Sequence, residues 1–455
     1  MDSKYKNKKI LIFGLGLNQG GVGSAKFFAK QGAQVRVTDL KTTGVLKPSL
    51  DELKEFPRIE YTLGEHKNED IDWANLIIKN PGVKPGNKYI EYAKSKGKRV
   101  EMDMGILLEY VKPSQIIGVT GTKGKSTTSS LIYEALNSTL SRGAATIPPP
   151  RWNYKTVAFA GNIGRSVLDT IKSVKEDTLV VLEISSFQLE SFDSHKVSPK
   201  WAVITNITPD HLNYYQTMDE YIEAKKVIGK YQTSDDFLFI RKNDPVTNRE
   251  EFLQNLGGKI IRFSSDELPK DFHPKLLGEH NKLNMAAALA VLKTFGIDEK
   301  KVLQVMEEFP GVEFRMQLIK EWQRIKIIND TTATSPEAAI RALETFPNCI
   351  LIAGGMNKNM HYESFAKAAD DLAREVYFLE GDSTDLIKSL MKEKNKIKGA
   401  YNDLEKLLSD VKESVKEGDV ILFSPAATSF NLFQNEFDRG RKFNLAVEKM
   451  FNETK

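Results

Sequence analysis

Short apolar runs recur along the chain, several of them rich in Ile and Val, and most end in a polar or glycine-rich turn. Lys9-Ile10-Leu11-Ile12-Phe13, Gln34 to Thr38 and Leu76 to Val83 predict strands in the first part of the chain. Ile116 to Val119, Val157 to Ala160, Leu179 to Leu182 and Ala202 to Thr205 predict strands in the middle, and Arg324 to Ile328, Ile350 to Ala353, Glu375 to Leu379 and Val420 to Phe423 in the last part. Helical patterns lie between them, as in Ser24 to Ala29, Met218 to Lys226 and the alanine-rich stretch opened by Leu276 to Met285. Strands alternating with helices predict an α/β fold with parallel sheets. Leu386, Leu390, Leu404, Leu407 and Leu408 are expected in the core of the last part. No repeat, coiled coil or low-complexity tract is present.

In open parallel sheets ligands sit at the C-terminal ends of the strands, so the turns carry the candidate chemistry. After Ile116 to Val119 comes Thr120-Gly121-Thr122-Lys123-Gly124-Lys125-Ser126-Thr127-Thr128. Glycines let backbone N–H groups curl around an anion, Lys125 would reach the outer phosphates, and a Ser126 or Thr127 hydroxyl would hold Mg²⁺. Gly124-Lys125-Ser126 fits the Walker A core, but neither Gly118 nor Gly121 stands where its first glycine belongs, so this is a P-loop variant. The plain alternative is a glycine turn beside an exposed lysine. Glu183 ends one strand as a Mg²⁺ candidate or a helix cap. His211, in Thr208-Pro209-Asp210-His211, is a metal ligand or the start of a helix. Lys225 by itself reads as a solvated charge on an amphipathic helix, and Asn281 and Asn284 either read a base or cap their helix.

The first strand leads into Gly14-Leu15-Gly16-Leu17-Asn18-Gln19-Gly20-Gly21-Val22-Gly23, and the second ends at Asp39. That is a dinucleotide-style turn with a carboxylate placed for a ribose or base, without the strict glycine spacing. NAD, another diphosphate or a purely structural turn remain open. Asn80-Pro81-Gly82 is a second candidate binding loop. In the last part, Asn329 to Ser335, Gly354 to Lys358 and Ser424 to Ser429 are polar turns at strand ends.

At 455 residues the chain is too long for one core, and its length suggests three domains. The net charge of +4, from 65 basic and 61 acidic residues, gives no push toward nucleic acid or membrane. A single cysteine, Cys349, excludes an internal disulfide and suits a reducing cytoplasm. The sequence shows neither a signal peptide nor a membrane span. Domains binding a diphosphate, ATP with Mg²⁺, and a second substrate suggest a ligase. Phosphorylation turns a carboxylate, a poor electrophile, into an acyl phosphate that an amine attacks.

Gly121 to Thr127, Gly161-Asn162-Ile163-Gly164, Glu183-Ile184-Ser185-Ser186-Phe187-Gln188-Leu189-Glu190, Asn206 to Leu212, His280 to Asn284 and Ser424 to Ser429 together resemble the Mur ligases, and specifically their D-glutamate-adding members. The resemblance spans essentially the whole chain. It implies a three-domain architecture: a Rossmann-like N-terminal domain over 1–112, a central P-loop ATPase domain over 113–312 and a Rossmann-like C-terminal domain over 313–455. It implies a cytoplasmic monomer with ATP and Mg²⁺ as cofactors and UDP-N-acetylmuramoyl-L-alanine and D-glutamate as substrates, in peptidoglycan precursor synthesis. Leu15, Gly16, Leu17, Asn18, Asp39, Asn80, Pro81, Gly82 and Asn162 would hold the UDP-linked substrate. Gly121, Thr122, Lys123, Gly124, Lys125, Ser126 and Thr127 would bind ATP, joined by Asn284, Arg315 and Asp330 from across a domain junction. Catalysis would rest on Lys125, Glu183, His211 and Lys225, and the metal on Ser126, Glu183, His211 and Lys225, the last as a carbamate formed with CO₂. Thr334, Lys358 and Ser429 would grip D-glutamate.

The chain departs from the family pattern in four places. Thr331-Thr332-Ala333-Thr334-Ser335 stands where Ser-Lys-Ala-Thr-Asn is usual, so one cation near the acyl group is absent, and Glu436 lies where an aromatic is common. The first glycine turn is long, and Pro148 to Pro150 belong to an unusual insertion. These departures bear on which amino acid is added. The competing readings are a sister ligase using another amino acid, a folylpolyglutamate synthase-like enzyme, an NAD-dependent dehydrogenase and a non-catalytic nucleotide-binding regulator.

Overall fold

The computed structural model describes residues 4–17, 19–141, 154–161, 166–211, 214–276, 278–357, 360–429, 432–433 and 435–452. The described chain forms two compact units, Met1–Phe309 and Pro310–Lys455. The triple proline and, among the candidate site residues, Asn18, Asn162 and Lys358 lie outside the described residues.

The first unit holds two parallel sheets. In one, β1 (Lys9–Phe13), β2 (Gln34–Asp39), β3 (Glu60–Leu63), β4 (Leu76–Lys79) and β5 (Arg99–Glu101) stand in the order β3-β2-β1-β4-β5. Chain order reverses between β1 and β4, so the glycine turn after β1 and the Asn80 loop after β4 flank one crevice. In the other, β6 (Ile116–Thr120), β7 (Thr156–Gly161), β8 (Thr178–Glu183), β9 (Trp201–Ile204), β10 (Phe237–Arg241) and β11 (Lys259–Phe263) take the order β11-β10-β9-β6-β8-β7. β6 and β8 are buried along their whole length, which is why both read as unbroken apolar runs.

The second unit is built on β12 (Gln317–Trp322), β13 (Ile325–Asn329), β14 (Cys349–Gly354), β15 (Ala373–Leu379), β16 (Ile397–Tyr401) and β17 (Val420–Phe423), ordered β12-β13-β17-β14-β15-β16. β12 runs antiparallel to β13, whereas the expected sheet was parallel throughout. Two apolar clusters cover this sheet, one around Leu351, Phe365 and Phe378, the other around Ile350, Phe423 and Phe443. Cys349 is buried in the first. Leu407 and Leu408 are core as expected, but Leu386 is an exposed apolar side chain, because its helix, Asp382–Leu390, turns Ile387 inward instead. Among the described residues no helix is long and apolar enough to cross a membrane.

Candidate active site

The sheet order places the site. β6, which feeds the phosphate loop, lies between β8, which ends at Glu183, and β9, which leads into Asn206 and His211. Three successive strand ends therefore share one edge, with Val119 paired to Glu183 and Thr120 to Ile204.

The loop is held from the β9 side. Asn206 accepts from the Lys123 N–H at 3.0 Å and donates back to the Lys123 carbonyl at 2.9 Å, while Thr205 Oγ1 donates to that carbonyl at 2.6 Å. Thr122 Oγ1 donates to the Thr208 carbonyl and lies 3.1 Å from the Tyr221 hydroxyl. Gly121 and Gly124 have φ of 147° and 84°, in the region that favours glycine. A Cβ on Gly124 would stand 2.2 Å from Asn284 Oδ1, and one on Gly121 would stand 1.9 Å from Thr205 Oγ1. Asn284 thus reaches the loop from within the same unit, on the helix Glu279–Lys293, where it also donates to Asn281 Oδ1. Lys125 and Ser126 open the helix Lys125–Ser141, whose N-terminus supplies partial positive charge.

Two lysines meet on one carbonyl. Lys125 Nζ donates to the carbonyls of Gly121 at 2.9 Å and Thr122 at 3.0 Å, and Lys225 Nζ donates to the same Gly121 carbonyl at 2.9 Å. Lys225 is only 1% exposed, which overturns the solvated-charge reading. Burial, with the Lys125 charge beside it, holds its ammonium well below the usual lysine range. A neutral amine is the form that captures CO₂.

Glu183 is buried at the end of β8, and its Oε2 has no hydrogen-bond partner. It caps no helix, since the next one, Leu189–His195, starts six residues on. An orphaned buried carboxylate oxygen fits a cation ligand. His211 sits at φ 56°, with its ring 5.0 Å from Phe187, and burial lowers its imidazole below the usual range. The following helix begins only at Met218, so His211 starts none. Among the described residues no three His, Cys, Asp or Glu side chains converge as a metal group.

In the first sheet, Asp39 accepts from the N–H groups of Gly16 and Lys41 at 2.9 and 2.8 Å, so its carboxylate braces the turn that holds Leu15 and Leu17. Asn80 donates to the Gly14 carbonyl at 3.4 Å and accepts from the Gly82 N–H at 3.0 Å, tying the two sides of the crevice together. Pro81 lies within the resulting turn, closed by Val83 N–H to the Asn80 carbonyl.

In the second unit, β13, β17 and β14 are neighbours, so the turns holding Thr334 and Ser429, and the segment after β14, leave adjacent strand ends. Ser429 is buried with its Oγ unpartnered, and Arg315 is exposed. The fully buried Arg439 donates to Thr331 Oγ1 at 2.8 Å and to the carbonyls of Thr331 and Ala427 at 2.7 and 3.0 Å, joining two of these turns. Asp330 accepts from Ser424 Oγ at 2.7 Å and the Met316 N–H at 3.1 Å, and burial pushes its carboxyl up to about 7.

Because that folded value lies above the ordinary 3.8, the folded chain keeps a proton that the unfolded chain releases. The Asp330 contribution to stability is fully present below about pH 4 and is lost as pH rises through about 7, at no more than ~1.4 kcal/mol per pH unit. Asp330→Asn is expected to remove that slope, read as the difference between the two chains in denaturant midpoints from pH 4 to pH 8. Equal slopes would refute it.

The sequence reading assigned no role to Thr205, Asn206, Tyr221 or Arg439. Asn206 was the most accessible of these, as a polar residue two steps beyond a buried strand beside the phosphate loop.

Three family models match the chain: a Mur ligase MurD-like N-terminal domain over residues 8–101, a Mur ligase middle domain over 119–275, and a Mur ligase glutamate ligase domain over 314–427. A UDP-N-acetylmuramoylalanine--D-glutamate ligase of Roseiflexus sp. (strain RS-1) is 34% identical, over 97% of this chain and 98% of the relative. One of Clostridioides difficile (strain 630) is 32% identical, over 98% and 99%. Among solved structures, the UDP-N-acetylmuramate-alanine ligase MurC of Thermotoga maritima is similar with a TM-score of 0.56 and 23% identity, over 97% of this chain and 99% of that one. MurF ligase of Thermotoga maritima, solved in complex with ADP, gives 0.51 at 18% identity, over 98% of both chains. With a phosphate loop between two candidate metal segments, and relatives matched over nearly their whole length, this chain belongs to the Mur ligase family.

Proposed function

We propose that the chain is an ATP-dependent ligase that adds D-glutamate to UDP-N-acetylmuramoyl-L-alanine, in cytoplasmic peptidoglycan precursor synthesis. The observation that carries this reading is the flanking of the phosphate loop by an orphaned Glu183 oxygen and a buried Lys225, in a chain whose full-length relatives bear that activity in their names. The P-loop lysine, Lys125, exchanges its loop carbonyls for phosphate oxygens, and the loop N–H groups and helix N-terminus complete the cradle. Asn284 borders the nucleotide at Gly124. Transfer of the γ-phosphoryl group to the substrate carboxylate gives ADP and an acyl phosphate. The amine of D-glutamate then attacks the acyl carbon, and phosphate leaves.

Mg²⁺ would be held by Ser126, Glu183, His211 and the Lys225 carbamate, and would offset the phosphate charge in the transfer. Asp39 keeps the first glycine turn in shape for the UDP-linked substrate, and Asn80 sets the opposing loop. Thr334 and Ser429 supply hydroxyls to the amino-acid pocket, where the unpartnered Ser429 Oγ suits a substrate carboxylate. Thr332 Oγ1 is taken up by the Phe314 carbonyl at 2.7 Å, and no lysine stands at that position, which favours a second reading in which another amino acid is added.

Phosphate release with ATP, Mg²⁺ and UDP-N-acetylmuramoyl-L-alanine, measured separately with D-glutamate, L-glutamate, L-lysine and meso-diaminopimelate, decides between them. Release with D-glutamate alone is the expected result. Release with another amino acid moves the specificity, and release with none overturns the ligase assignment.

A further inference from the structure

The loop after β4 is gripped from both candidate metal segments at once. Lys79, the last residue of β4, is nearly buried, with 8% of its side chain exposed. Its Nζ lies 2.7 Å from Glu190 Oε2, on the first turn of the helix Leu189–His195 that follows Glu183. From the other side, the Tyr214 hydroxyl, three residues beyond His211, donates to the Val83 carbonyl at 3.4 Å. Tyr214 is seated against Phe187, with ring centroids 4.4 Å apart, so it is held by the Glu183 segment too. Lys79 also lines a narrow cavity between Gly14, Gly20, Asn80 and Pro81, with the buried Asp103 at its wall. Glu190, by contrast, is half exposed at 49%.

A buried ammonium that loses its carboxylate partner is strongly destabilised, whereas a half-exposed carboxylate that loses its ammonium is rehydrated. The pair therefore constrains Lys79, and through the next peptide bond Asn80, more than it constrains Glu190. We propose that Lys79 is a positioning residue. Its ion pair with Glu190, seconded by Tyr214, fixes the Asn80-Pro81-Gly82 loop to the segments carrying Glu183 and His211, so that the UDP-linked substrate is seated in register with the phosphoryl-transfer site. This rests on the ligase reading above and adds to it a link between the sugar-nucleotide crevice and the metal segments.

The test is a double-mutant cycle with Lys79→Met and Glu190→Gln, reading the Kd of UDP-N-acetylmuramoyl-L-alanine by calorimetry and the KM of ATP. Each single change is expected to weaken the UDP-linked substrate about tenfold, the double change no more than the weaker single, and ATP less than about twofold. The exchanged pair, Lys79→Glu with Glu190→Lys, is expected to recover part of the loss. Should Lys79→Met fail to fold, Lys79→Gln with Glu190→Gln completes the same cycle. Effects that multiply in the double variant, or that fall equally on ATP, overturn the clamp. Failure of the unaltered chain to bind the UDP-linked substrate overturns the ligase reading and the clamp with it.

Discussion

Replacing Lys225 with methionine is expected to lower ligase turnover by about 10²–10³-fold or more, the range set by removing one preorganised charge-stabilising group from an active site. The substitution is close in volume and suits a buried position, so the fold is expected to survive it. The loss is chemical. Lys225 is held beside the Lys125 ammonium on a shared carbonyl, and both that charge and burial favour its neutral amine. A neutral amine combines with CO₂ to give a carbamate and a proton, so that an anionic oxygen ligand would stand where an ammonium would repel Mg²⁺. The unaltered chain is accordingly expected to lose turnover in CO₂-depleted buffer and regain it with bicarbonate. The methionine variant is expected to respond to neither. Indifference of the unaltered chain to CO₂ would remove the carbamate from the account.

Glu183→Gln is expected to move activity and stability in opposite directions. The Oε2 atom is buried and unpartnered, so the folded chain carries a desolvation cost that a neutral amide reduces. Without nucleotide or metal the variant is expected to be the more stable chain, by less than the ~1–3 kcal/mol of an unsatisfied buried polar group, because the amide leaves a buried polar atom unpartnered in its turn. Turnover is expected to fall about 10²-fold or more, because an amide oxygen brings no charge to Mg²⁺. Thermal unfolding and phosphate release, measured on the same preparation, check the two halves. A variant that is less stable and still active would show that Glu183 is a structural residue. Sites built for a ligand commonly carry such a cost, and substitutions that remove it exchange function for stability.

How far the sequence led depended on how each element earns its burial. β1, β6, β8 and β9 lie between two neighbours and under helices, so their residues had to be apolar nearly throughout, and the sequence displays them. β3, with Glu60 and Tyr61 exposed, and β12, with Glu321 exposed, are edge strands that need no apolar run, and they left no legible signal. The phosphate loop was legible because it is local: glycines, lysine and hydroxyl fall within a few residues of one another. Lys225 was not. It lies on a helix of ordinary amphipathic pattern, and its burial comes from Tyr221 one turn earlier and from Gly121, more than a hundred residues away. Arg439 was invisible for the same reason, since the turns it joins meet only after the sheet has formed. Lys79 drew no reading of its own within the run Leu76 to Val83, and nothing near it in the chain announced Glu190.

The second unit closes its own sheet and packs both faces with its own apolar clusters. Its candidate amino-acid residues are thus set by strand ends that share no ladder with the phosphate loop. In evolutionary terms this separates two inheritances. On the proposed reading, substitutions at positions such as Thr332 and Glu436 would bear on which amine is accepted and leave the strand ladders that carry the phosphate loop intact.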